Sequence, residues 1–308
     1  MKILVVGAGA IGGFFGGRLL AARRDVTFLV RERRAAQLAK TGLVIKSKLG
    51  DVSLPAPPTV SAEALRGPYD AVVLSCKAFD LEGAMQSFAP AVGPDTAILP
   101  LLNGLAHLDA LAKRFSKKNV LGGQAALALT LDAEGRVLHL NDILAISFGE
   151  LDGMKSTRVA ALAAEFAAAG IQAGQSEAIL QEMWEKWAFI ATAGGITSLM
   201  RGTVGDIVAG GGAPFATVLY DEIALIAAAN GHALRTPAVE RAKAMLTTAG
   251  SPFNSSMARD VDGGLRVEAD HVIGDLLKRA KGGDYPLLRI ALAHLKTYEE
   301  RRKRETKA

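Results

Sequence analysis

The chain has 308 residues, half of them hydrophobic and 22% charged, a length beyond one ordinary domain and a composition that excludes a disordered polymer. Its net charge of +5 invites a nucleic-acid partner, but the last 13 residues carry six basic and three acidic side chains and alone supply +3; with no helix-turn-helix signature or zinc-ligand spacing, neither a nucleic-acid partner nor a metal is expected. The single cysteine, Cys76, cannot close an internal disulfide and fits a reducing, cytoplasmic compartment, and no uninterrupted apolar run reaches membrane-spanning length.

The N-terminal lysine and apolar run resemble the start of a secretory signal, but glycines break the run at spaced positions that a signal core does not need. KILVVGAGAIGG instead predicts a strand over Ile3–Val6, a turn, and a helix in FFGGRLLAARR. Gly7 permits the tight turn, Gly9 lets the main chain approach a pyrophosphate, and Gly12 lets the helix pack on the strand. Free N–H groups of the first helical turn would face the phosphates. The plainer alternative is a glycine-rich structural turn.

A second strand, Asp25–Val30, ends at Arg31. An acidic residue there would hold the ribose 2′-hydroxyl of NAD, whereas an arginine suits a 2′-phosphate, so NADP(H) is the expected cofactor. Arg33 and Arg34 add charge, Glu32 argues the other way, and a solvated loop would explain all of them. LVIKS reads as a further strand and LPAPP as a loop, while DAVVLSCK and TAILPLLNG predict parallel strands ending at Lys77 and Asn103. In an open parallel sheet the ligand lies beyond the carboxyl ends of the strands, where Gly9, Arg31, Lys77 and Asn103 all fall. A surface cation at Lys77 and a simple turn at Asn103–Gly104 are the alternatives.

Beyond ISFGELDG the strand pattern stops and TRVAALAAEFAAAG opens a helical series, so the expected division is a nucleotide-binding half, residues 1–174, and a helical half, residues 175–308. The expected fold is therefore an α/β Rossmann-type, doubly wound parallel sheet followed by an all-α domain. The helical half would hold the substrate and bury a homodimer face. QEMWEKWAFIATAGGITSL places Lys186 among tryptophans and aliphatics on one helix. An ordinary surface pair with Glu182, one turn earlier, is one reading and a chemical task is the other. Gly231 predicts a helix stop and Thr236–Pro237 a capped helix start. NSSMARD places Ser255 and Ser256 at another helix start, as a plain cap or as a carboxylate site. Glu268 follows about three helical turns later, as a surface group or a partner for Lys186.

In order along the chain, GAGAIGG, LVR, SCKAFD, LLNG, WEKWAF and SSMARDVDGGLRVEAD together resemble the ketopantoate reductase (2-dehydropantoate 2-reductase) family over essentially its whole length. The resemblance implies NADPH-dependent reduction of a small 2-oxo acid, ketopantoate, to pantoate in pantothenate and coenzyme A synthesis. It implies cofactor contacts from Gly7, Ala8, Gly9, Ala10, Ile11, Gly12, Arg31, Lys77, Asn103 and Glu268, and from Ala128 through its main chain, although Ala128 reads equally well as packing. It makes Lys186 the proton donor, with Glu268 beside it, and assigns substrate binding to Asn103, Lys186, Ser255 and Ser256. A positioned ammonium stabilises the oxygen charge that follows hydride addition and then donates a proton, effects of about 10² to 10⁴ in rate.

The chain departs from the family pattern where asparagines hold substrate. Those positions read Ile190, Gly194 and Val204, so a different, more apolar 2-oxo acid is a rival substrate, with Thr197 and Ser198 as compensating hydroxyls if they face the cleft. A non-catalytic NADP(H) sensor and a 3-hydroxyacid dehydrogenase-like enzyme are the remaining rivals.

Overall fold

The runs ILVV, VTFL, AVVL and AILP are apolar at nearly every position, the pattern of strands covered on both faces. In the computed structural model, which describes residues 1–306, these runs form the centre of a parallel sheet. Lys307 and Ala308, the end of the basic C-terminal stretch, lie outside the described residues. In chain order the strands are β1 (Lys2–Val6), β2 (Asp25–Leu29), β3 (Leu43–Lys46), β4 (Val52–Leu54), β5 (Thr59–Val60), β6 (Ala71–Leu74), β7 (Ala97–Pro100), β8 (Leu121–Ala126), β9 (Leu129–Leu131), β10 (Val137–His139), β11 (Ala145–Glu150) and β12 (Gln172–Gln175). Helices α1 (Ala10–Ala21), α2 (Glu32–Thr41), α3 (Leu81–Phe88), α4 (Ala106–Arg114) and α5 (Thr157–Ala168) alternate with them. Seven further helices follow: α6 (Ile179–Met200), α7 (Val204–Ala209), α8 (Ala213–Ala229), α9 (Thr236–Leu246), α10 (Ser256–Asp262), α11 (Asp275–Arg279) and α12 (Pro286–Glu305).

The chain forms two compact units, Met1–Leu102 with His107–Leu180, and Asn103–Ala106 with Gln181–Ala308. In the first, the five-stranded sheet has the order β5-β2-β1-β6-β7 and every pairing is parallel. Val6 lies opposite Leu29 on one side and Leu74 on the other, so β1, β2 and β6 end level and their following residues share one edge. Helix α1 packs close because it carries glycines on its inner face. A Cβ at Gly16 would strike the Phe28 ring, and one at Gly17 would crowd Leu43 and Ile45. The LVIKS strand does not join this sheet; as β3 it belongs to a four-stranded sheet, β4-β3-β10-β9.

One expectation is corrected here. The expected division between residues 174 and 175 falls inside β12, in the stretch GIQAGQS, and β12 pairs in parallel with β11 from Ala145↔Gln172 to Phe148↔Gln175. A short polar strand with a central glycine has no apolar alternation to reveal it; its register comes from β11 and from α5, which packs on it.

In the second unit α6 is apolar around much of its circumference, which a helix tolerates only when surrounded by others. A Cβ at Gly195 would press on Leu219 of α8 and Ala291 of α12, at 3.1 and 3.3 Å. The buried Glu222 of α8 accepts from the Leu287 and Leu288 N–H groups at 3.1 and 2.9 Å, placing negative charge at the start of α12 where the helix dipole favours it. Gly231 ends α8 with φ 85°. Thr236 does open α9, but its hydroxyl is not the cap; Arg235 precedes it, with its N–H bound by Glu185 Oε1 at 3.2 Å. Among the described residues no helix is long and apolar enough to cross a membrane.

Candidate active site

The glycine turn is built from the strand end outward. Gly7 has φ 91°, a conformation that strains any L side chain, and its N–H donates to the Leu29 carbonyl at 2.9 Å. A Cβ at Gly12 would collide with the Gly7 carbonyl and the Ser75 hydroxyl, whereas a Cβ at Gly9 would meet nothing within 4 Å. The two glycines thus serve different ends: Gly12 packs protein on protein, and Gly9 faces open space. Ala8 is buried, and Ala10 and Ile11 are half-buried on the first turn of α1, where the N–H groups of Ala10, Ile11 and Gly12 have no acceptor within the helix. A pyrophosphate fits such a cradle, because the donors and the dipole of a 12-residue helix converge on it.

Arg31 stands just before α2 with its side chain 78% exposed, 3.0 Å from the Asp80 carboxylate. Lys77 is exposed after β6, ahead of the turn Ala78–Asp80. Arg34 corrects its expected part in phosphate charge. Its guanidinium donates to the Ala8 carbonyl at 3.0 Å, Gln37 Oε1 at 2.7 Å and the Gly135 carbonyl at 3.2 Å, and burial lowers its pKa. It ties α2 and the β9–β10 hairpin to the glycine turn. Ala128 heads β9; its N–H is taken by Asn141 Oδ1 at 3.1 Å, while its carbonyl accepts from the Leu140 N–H at 2.9 Å and keeps one lone pair.

In the second unit Lys186 sits on α6 between the buried Trp184 and Trp187, whose rings lie 4.9 Å apart. Burial pulls its pKa from 10.5 to about 8, which a snorkelling surface lysine would not show. The carboxylate beside it in sequence, Glu185, belongs to Arg235, which grips both oxygens at 2.6 and 2.7 Å. On the same face of α6, one and two turns beyond Lys186, Ile190 is half-buried and Gly194 is buried against Met257, whose Cε a Cβ would meet at 3.5 Å. Val204 is fully buried at the start of α7.

Thr197 and Ser198 are both buried, so neither faces an open cleft. Thr197 donates to the Ala193 carbonyl at 2.6 Å and lies 2.8 Å from the Ser255 hydroxyl. Since the Thr197 proton is used, Ser255 supplies the proton between them, and Ser255 also accepts from the Ala258 N–H at 3.0 Å as the cap of α10. Ser255 therefore has no proton left for a substrate carboxylate. Ser256, at the first position of α10, is exposed and keeps that capacity.

Glu268 does not continue α10. Gly263 and Gly264 interrupt the helix, and Glu268 heads the next helical run, its carbonyl accepting from the Val272 N–H at 2.9 Å. The charge of Glu268 acts on His271, whose pKa burial lowers while Glu268 and the ring's hydrogen bond to the Asn103 main-chain carbonyl pull it up. Asn103 follows β7 yet belongs to this unit, with Gly104 packed on the His271 ring at 3.3 to 3.4 Å from a Cβ position. His271 has no motif of its own. Its contact with the Asn103 corner reaches 168 positions back along the chain, which spacing cannot disclose.

Residues 3–153 match the family Ketopantoate reductase PanE/ApbA, and residues 178–299 match Ketopantoate reductase PanE/ApbA C terminal. The chain belongs to the ketopantoate reductase family. It is accordingly an NADP-dependent oxidoreductase of the ketopantoate reductase type. It is 37% identical over 302 residues to an uncharacterized oxidoreductase, YkpB, of Bacillus subtilis (strain 168), spanning 97% of this chain and 99% of that one. It is 28% identical to a 2-dehydropantoate 2-reductase of Mesorhizobium japonicum, over 93% of each. Among solved structures, the 2-dehydropantoate 2-reductase of Methylococcus capsulatus shares 30% identity at TM-score 0.85 and covers 98% of both chains. A D-mandelate dehydrogenase with NADH and anilino(oxo)acetate, 22% identical at TM-score 0.87 over 98% and 100%, shares the fold. The ketopantoate reductase motifs thus fall on both units: glycine turn, Arg31 and Lys77 on the first, and Asn103, Lys186, Ser256 and Glu268 on the second.

Proposed function

We propose that the protein reduces a 2-oxo acid with NADPH, with ketopantoate to pantoate, a step of pantothenate and coenzyme A synthesis, as the first substrate to test. The observation that carries this reading is Lys186: an amine on a 22-residue, largely apolar helix, with its pKa drawn by burial to about 8. A proton donor works best when its pKa lies near the working pH.

The residues fit the cofactor. The first-turn N–H groups of α1 would hold the pyrophosphate over Gly9, Arg31 the 2′-phosphate, and Lys77 and Asn103 would add polar contacts. The Ala128 carbonyl, with a lone pair to spare, can accept from a carboxamide. When bound, the reduced dinucleotide supplies the hydride that turns the carbonyl carbon of the acid into a carbinol. Lys186 stabilises the negative charge left on the carbonyl oxygen and gives it a proton, and Ser256 binds the carboxylate. Glu268 carries the counter-charge for this unit.

A second reading concerns the tail of the acid. Ile190, Gly194 under Met257, and the Phe189 and Phe253 rings 5.8 Å apart make the neighbourhood of Lys186 hydrocarbon. A substrate hydroxyl left unpaired there costs roughly 1 to 3 kcal/mol, which favours an apolar 2-oxo acid. A panel of 2-oxo acids with NADPH and with NADH, followed by cofactor absorbance, tests both. Turnover of ketopantoate above its deoxy analogues supports the first reading and the reverse order the second. Silence across the panel would leave a cofactor-binding sensor.

A further inference from the structure

Two of the segments that the reductase reading uses, and one neighbour of the third, converge on a single turn. Asp270–Gly274 is a π-helical turn, a widened helix that is uncommon and concentrated at functional sites. Trp187, the residue after Lys186, donates its indole N–H to the Val272 carbonyl at 2.8 Å across 85 positions. Glu268 opens the run that becomes the turn. The third element is the Asn103–Gly104 corner, which meets His271 through the Asn103 main chain and through Gly104. Gly104 has φ 77°, and a Cβ there would lie 3.1 Å from the His271 carbonyl.

We propose that His271 is a positioning residue of the reduction site, fixing Asn103 against the helical run that Glu268 heads and Trp187 anchors. The proposal rests on the reductase reading above. A half-buried ring is suited to it. Lowered basicity keeps the imidazole neutral near pH 7, so it has one N–H to give to the Asn103 carbonyl and retains one tautomer. The charges acting on the ring are Glu268, Asp275 and Arg279; Asp275 and Arg279 also pair with each other at 2.8 Å. Loss of the N–H would let the Asn103 corner shift, and a misplacement of about 1 Å can cost on the order of 100-fold in rate.

The test is a double-mutant cycle between His271→Phe, which keeps a ring but no donor, and Asn103→Ala, with His271→Gln as the conservative variant. Both tryptophans of the chain lie on α6, so their emission reports the anchor directly, and NADPH binding is titrated in parallel. We expect His271→Phe to lower kcat/KM for the 2-oxo acid by about 10- to 100-fold, to weaken NADPH binding, in which Asn103 shares, by a smaller factor, and to shift tryptophan emission. His271→Gln should recover most of the rate, and in the Asn103→Ala background His271→Phe should add little. Independent effects of the two substitutions, or a glutamine variant as impaired as the phenylalanine one, would overturn the proposal. A cycle with His271→Met covers a phenylalanine variant that does not fold. A parent enzyme that oxidises NADPH with no 2-oxo acid at all would instead sink the reductase reading, and this proposal with it.

Discussion

Arg31 lies 3.0 Å from Asp80, so the guanidinium proposed to hold the ribose phosphate already has a carboxylate for company. The pair is exposed and worth at most about 1 kcal/mol, which a phosphate dianion can displace. Arg31→Ala should lower kcat/KM for NADPH by roughly 10- to 100-fold, the loss of one charged hydrogen bond, and leave NADH use nearly unchanged. Asp80→Asn should tighten NADPH binding. Equal losses with both cofactors in Arg31→Ala would remove Arg31 from phosphate recognition.

Gly9 and Gly12 separate cofactor binding from stability. Nothing in the protein opposes a Cβ at Gly9, so Gly9→Ala should melt like the parent yet bind NADPH at least about tenfold more weakly, because the methyl takes the place of a phosphate contact. Gly12→Ala forces the Gly7 carbonyl and Ser75 hydroxyl apart and should lower the melting temperature as well. Thermal unfolding with and without NADPH distinguishes the two.

Lys186 makes two pH predictions of known sign. As proton donor it must be charged, so kcat/KM for reduction should be flat below pH about 8 and fall tenfold per unit above it. For stability, the folded pKa lies below the unfolded one, so between about 8 and 10.5 the unfolded chain holds more protons and stability rises with pH. Below pH 8 the full cost of burying the charge remains, up to about 3 kcal/mol. Lys186→Met should abolish reduction and remove the rise in stability between pH about 8 and 10.5 that the parent shows. An inactive variant that keeps that pH dependence would assign the titration to another group.

The Thr197 and Ser255 hydroxyls tie the far end of α6 to the cap of α10. Thr197→Val leaves Ser255 with a buried proton and no acceptor, at a cost of about 1 to 3 kcal/mol. Urea unfolding should show that loss, while KM for the 2-oxo acid rises through displacement of Ser256 and NADPH affinity stays put. An unchanged KM would detach the Ser255 cap from substrate binding.

What sequence reading could reach follows from how local each signal is. The β1–α1–β2 unit is written within the 28 consecutive residues Lys2–Leu29, and two of its glycines have reasons inside it, the φ of 91° at Gly7 and the Gly7 carbonyl against Gly12. Lys186 is legible because its apolar surroundings are its own helix. The failures are all of another kind. β12 has no pattern and takes its strand form from β11. Arg34 differs from Arg31 and Arg33 only in the direction α2 turns it, toward the Ala8 carbonyl. Ser255 and Ser256 differ by one helical position, and only the cap geometry decides which hydroxyl is spent. Glu268 was expected on a continuous helix, but Gly263–Gly264 breaks it.

The four residues Asn103–Ala106 lodge with the helical unit although the sheet strand β7 delivers them. Grafting that unit from one relative onto the sheet of another is therefore not a single splice near residue 180. A chimera joined there would pair a foreign corner with the native His271, and only a second exchange, of the corner itself, would restore a matched set.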